Sequence, residues 1–181
     1  ILLPNQIFTP IHQNKFSQTI TLNPISWSSE EGFKKVLSKF YNQTSYLIDR
    51  MVVREGEKFD LNPFDDRGDQ LGLNLSFRNS LFFNRGKQRY TTNYTYLSTT
   101  TENLQSIGSI ESEIESHQIN FLHKIADSWL FTFNGQTGFN ASQSENFANR
   151  NFEIDENLLK PQISYLFGES NRVDVFYEYQ N

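Results

Sequence analysis

Three histidines, a run of alternating glutamates and one acidic loop are the residues of this 181-residue chain best suited to chemistry. His12 stands far from the other two. His117 and His123 share the phase of one period-two segment but lie about 20 Å apart at roughly 3.3 Å per residue, too far to act on one substrate. Glu111, Glu113 and Glu115 precede them in the same phase and could supply a carboxylate pair for proton transfer, but a strand extension standing in water explains them better. Asp60, Asp65, Asp66 and Asp69 fall in the acidic stretch 55–69. Clustered oxygens suit Ca²⁺, yet the spacing matches no EF-hand loop, so a solvated acidic loop is the expected reading. There is no cysteine, hence no thiolate metal site and no disulfide framework. Asn42, Asn93 and Asn140 head Asn-x-Ser/Thr triplets, with Asn93 in mid-strand, where chance accounts for the motif. Triads are assembled in space, and nothing here nominates one. The chain is expected to be no enzyme and to need no cofactor or metal.

The elements carrying these residues are best seen in Gln70–Tyr96. Leu71, Leu73, Leu75, Phe77, Leu81 and Phe83 occupy odd positions, with Asn79 the exception. Gln70, Gly72, Asn74, Ser76, Arg78 and Ser80 occupy even ones, with Phe82 the intruder. Strict alternation puts one apolar and one polar face on a β-strand. Asn84-Arg85-Gly86-Lys87 supplies a tight turn in which Gly86 offers positive φ. Tyr90, Tyr94 and Tyr96 return on one face, so 70–96 is a hairpin. Arg78 is the one charge deep in its polar face. It could tune a lumen or bind an anion; a paired structural Arg is the plainer expectation.

Similar segments recur along the chain. Residues 1–15 read as an extended lead-in, Phe16–Leu22 as a short strand and Tyr41–Arg54 as another. Between them, residues 28–40 change period: Ser28 and Glu31 form a capping box, and Phe33, Val36, Leu37 and Phe40 make the stripe of a short amphipathic helix. Stretches 98–112 and 140–151 read as long loops. Strand character resumes at Gln118–Ile125, at Trp129–Phe139 and at Phe152–Phe167, where Pro161 implies a local irregularity or a missing ladder bond. Val173, Val175, Tyr177 and Tyr179 finish the pattern. The prediction is all-β, an antiparallel up-and-down meander of about eight strands of about ten residues, with one short helix in a connection. Short turns fall at 84–87, 126–128 and 168–171, and long loops at the other end of the sheet.

Composition narrows the setting. Net charge is −5 with no basic stripe, which excludes nucleic acid as the main partner. Mean hydropathy is −0.59 and no run approaches the roughly 20 apolar residues of a membrane helix, a test that leaves barrel strands open. Aromatic residues make 15% of a chain otherwise rich in Asn, Ser, Thr and Gln, which suits sheets whose two faces see different surroundings.

Strands with short turns at one end, long loops at the other and a polar face of small neutral groups resemble the outer-membrane β-barrels of Gram-negative bacteria. The resemblance spans residues 16–181 and rests on pattern alone. It implies a segment of the wall of a pore, transporter or translocation channel, with the lipid bilayer and further strands or partner chains as its partners. Leu73, Leu75, Phe77, Phe131, Phe133, Ile163, Tyr165 and Val175 then face lipid, while Asn74, Ser76, Arg78, Thr132, Asn134, Gln136 and Ser164 face the lumen. The chain does not end on the aromatic residue with which such barrels commonly finish, and its first strand is short, so the barrel is expected to be incomplete, with 16–22 and 173–179 not paired to each other and further strands covering both edges. The competing expectation is a soluble β-sandwich binding module that stacks sugars on Tyr90, Tyr94 and Tyr96.

Overall fold

The computed structural model describes residues 11–23, 32–53, 69–86, 89–105, 108–167 and 171–181. Eight strands follow one another as an antiparallel meander: β1 (Ile11–Leu22), β2 (Phe40–Val53), β3 (Asp69–Phe83), β4 (Tyr90–Gln105), β5 (Gly108–Lys124), β6 (Trp129–Ser144), β7 (Phe152–Phe167) and β8 (Asn171–Phe176). A two-residue segment, β9 (Tyr179–Gln180), continues beside β7. The sheet is open: β1 and β8 are its two edges and do not pair with each other.

The alternation of the 70–96 hairpin is carried by the ladder. Leu75 pairs with Thr100, Phe77 with Ser98 and Leu81 with Tyr94, so the odd residues of β3 share a face with the even residues of β4. Asn84 (φ 54°) and Gly86 (φ 111°) take the left-handed conformations that the turn requires.

Four expectations need correction. The stretch 98–112 is no loop: β4 runs on to Gln105 and β5 starts at Gly108, whose φ of 109° suits a tight hairpin. Likewise β6 continues to Ser144, and a 3-10 turn at Ala148–Arg150 leads into β7. Both stretches carry few apolar residues and no continuous apolar face, so they lack the contrast that marks a strand, while their backbones still have neighbours to pair with. β2 to β7 are therefore 14 to 17 residues long instead of about ten. The lead-in is also shorter than expected, since residues 11–15 already pair with β2. Finally, the described helix α1 is only Phe33–Leu37. Phe40, the last residue of the helical stripe, belongs to β2, where its ring lies 4.8 Å from that of Phe83. The capping residues Ser28 and Glu31, and Asp60, Asp65 and Asp66 of the acidic loop, lie outside the described residues.

Pro161 acts as its chemistry dictates. Tyr177 N–H donates to its carbonyl at 3.1 Å, but the proline has no N–H to return. Opposite this missing bond the edge strand is interrupted at Tyr177-Glu178, dividing β8 from β9. Pro161→Val restores the donor and should fuse β8 and β9, raising stability by about 0.5–1.5 kcal/mol. Protection of the new amide at residue 161 and slowed exchange at Tyr177, with unchanged exchange at Ile163, would verify it.

There is one layer. Each strand packs on its ladder neighbours, and among the described residues only Ile48 and Val52, both 3% exposed, are buried apolar side chains. A β-sandwich needs a second sheet over this one. All described strands belong to a single sheet.

Candidate functional site

The ladder sorts every strand residue onto one of two faces. Leu73, Leu75 and Phe77 of β3, Phe131 and Phe133 of β6, Ile163 and Tyr165 of β7 and Val175 of β8 share one. Asn74, Ser76, Arg78, Thr132, Asn134, Gln136 and Ser164 all lie on the other. None of the apolar eight is buried, and Val175 is 68% exposed.

The apolar face is organised as a band. At its short-turn margin Phe40 packs on Phe83, and Trp129 on Tyr165 with ring centres 4.7 Å apart, followed by Phe167. Asn42, Thr44 and Asn79 interrupt the band on β2 and β3 but satisfy one another: Asn79 Nδ2 donates to Thr44 Oγ1 at 2.7 Å, and Asn42 Nδ2 to Asn79 Oδ1 at 3.2 Å. The band also runs obliquely. One pairing row crosses the sheet through Phe83, Thr92, Phe121, Phe133 and Pro161. On β3 the apolar run lies on the long-loop side of this row, from Phe83 back to Leu73. On β7 it lies mostly on the short-turn side, through Ile163, Tyr165 and Phe167. A level band crossing tilted strands produces this diagonal.

Beyond the band, away from the end that holds the 84–87 and 126–128 turns, the same face turns acidic. Glu102 stands directly opposite Glu111, and Glu113, Glu115, Glu153 and Asp155 follow on β5 and β7. At the margin His117 joins both zones. Tyr94 Oη lies 2.7 Å from His117 Nδ1, and His117 Nε2 lies 3.3 Å from Glu115 Oε1. Tyr96 packs on the imidazole at 4.9 Å. His123 sits apart, edge-on to Tyr90. The Glu115–His117–Tyr94 chain was not legible from composition. The pairing of Gln105 with Gly108 fixes the register that places Tyr96 opposite His117, and nothing in the alternation marks that pairing.

No family model, curated protein or solved structure matches this chain.

The polar face is rich in hydroxyls and carboxamides, many of them hydrogen-bonded to one another. Ser80 and Thr95 hydroxyls meet at 3.1 Å, Ser76 and Thr99 at 3.2 Å, and Gln118 Nε2 donates to Gln136 Oε1 at 3.3 Å. Ser164 is fully buried and accepts from Arg172 Nη2 at 3.0 Å. A groove of about 580 Å³ lies along this face, with Phe82 and Arg85 at the β3–β4 turn and Arg172 on β8 among its walls. Arg78 departs from expectation: it is exposed and, among the described residues, has no carboxylate partner. Its neighbours across the ladder are Ser45 and Leu97, neither of them an acid.

Proposed function

We propose that this chain forms part of the wall of a bacterial outer-membrane β-barrel that serves as a pore, transporter or translocation channel, and that its role is non-enzymatic. The observation that carries the reading is the single sheet whose apolar face is uncovered and banded on the diagonal. Water would leave this face solvated at about 25 cal/mol per Å² of apolar surface, a cost that lipid removes. Barrel strands tilt by roughly 35–45°, so a level hydrocarbon layer meets them obliquely. An aromatic margin on one side of the band and carboxylates on the other suit two interfaces of different polarity. The opposite face, rich in Asn, Gln, Ser and Thr, suits a hydrated interior.

Both edges of the sheet support further strands. Unpaired backbone groups at β1 and β8 would each cost several kcal/mol in hydrocarbon, so strands from the same polypeptide or another chain are expected to cover them. No helix among the described residues is long and apolar enough to span a membrane, a statement that has no bearing on strands.

The full-length protein should be monodisperse only in detergent or lipid. In bilayers with bromine placed at graded depths along the acyl chains, Trp129 fluorescence should be quenched most by the shallow positions. A protein that stays monodisperse without detergent and shows no quenching would refute the proposal.

A further inference from the structure

We infer that the groove on the polar face binds an elongated, polyhydroxylated anion, an acidic oligosaccharide, with its anionic group at Arg85. The inference rests on the barrel reading and names the class of solute its interior would hold.

The floor of the groove is a row of carboxamides. Asn93 pairs with Asn120 and Asn120 with Asn134, which sets three amides side by side on adjacent strands about 4.8 Å apart. Each amide offers two donors and an acceptor, and a hydroxyl is both donor and acceptor, so such a row complements a chain of hydroxyls. Only Asn93 has an internal partner, Thr95 Oγ1 at 3.5 Å. The side chains of Asn120 and Asn134 bond to nothing among the described residues and remain available to a ligand.

The two ends of the groove differ. Arg172 is already engaged, with Nε 2.7 Å from Asp174 Oδ1 and Nη2 on Ser164. Arg85 pairs with no carboxylate among the described residues. Its guanidinium lies 4.4 Å from the centre of the Tyr41 ring and 5.2 Å from that of Phe82. Stacking holds the plane while leaving the N–H edge free to take a carboxylate or phosphate in two parallel bonds. Phe82 also presents an apolar surface beside the amides, where the C–H face of a sugar ring can rest. Arg78, two pairs along the same face of β3, adds positive field on that side and draws an anion to the Arg85 end. A simple inorganic anion would use the arginine alone and ignore the amide row. A peptide strand would seek a free sheet edge, which the middle of the sheet does not offer.

The test uses the full-length protein in detergent micelles and calorimetric titration with three probes: an oligogalacturonate, a maltooligosaccharide of equal length and inorganic phosphate. The acidic oligosaccharide should bind at least about tenfold tighter than either of the others, the size of one charge-assisted hydrogen bond. Arg85→Gln should remove that preference and leave the neutral sugar unchanged. Asn120→Ala with Asn134→Ala should weaken both sugars about tenfold. All three substitutions lie in solvated positions, and unchanged far-ultraviolet circular dichroism checks that the fold survives. No binding by folded protein, equal affinity for all three probes, or indifference to these substitutions would overturn the inference. Failure of the barrel reading registers separately, as solubility without detergent.

Discussion

Phe133→Arg is expected to lower the stability of the lipid-refolded protein by about 2–4 kcal/mol, while Asn134→Arg costs far less. Phe133 sits in mid-band on β6, paired with Phe121 on one side and Pro161 on the other. In hydrocarbon an arginine there loses its hydration, and no carboxylate lies in its row to offset the loss. Asn134 is the next residue, and the strand's period of two turns it into the polar groove, where an added charge keeps its water. The comparison isolates facing from position, since both changes insert the same side chain at the same depth. Equal losses on equilibrium refolding into lipid would sink the assignment of faces. In water alone neither substitution should matter much, because Phe133 is only half-buried.

The second large effect is expected at Gly138. This residue pairs with Ser116, and a Cβ added to it would run into the carbonyl oxygen of Glu115 and lie 3.0 Å from Ser116 Cα. Those are backbone atoms of the neighbouring strand, which cannot rotate away as a side chain can. Gly138→Val should therefore cost about 3 kcal/mol or more, at the upper end of overpacking losses. Gly72 supplies the control. A Cβ there meets Asn103 Oδ1 at 3.4 Å, ordinary contact, and its φ is not of the left-handed kind, so Gly72→Ala should be neutral or stabilise by about 0.4–1 kcal/mol. Denaturant unfolding in micelles measures both. A Gly138 variant as stable as the parent would mean that β5 and β6 do not approach this closely.

Gly138 also marks the limit of what can be read locally. That a glycine interrupts an alternating run is visible, but which backbone crowds it depends on pairing across a turn. The two faces of β3 were legible because Leu73, Leu75 and Phe77 contrast with Asn74, Ser76 and Arg78, and a period of two needs no partner to define it. Pro161 was legible for the same reason: a missing N–H is a property of one residue. The ends of β4 and β5 were not. Past Tyr96 and before His117 the few apolar residues, Leu97, Leu104, Ile110 and Ile114, are too scattered to continue the apolar face of the hairpin, so the stretch imitates a loop, although ladder bonds to its neighbours hold it extended. The Glu115–His117–Tyr94 chain, the carboxamide row and the unpaired Arg78 all depend on register between strands. Register is set by turn length and by hydrogen bonds between residues distant in sequence, so alternation along a single strand can say which way a side chain points, but only the assembled sheet decides what stands beside it.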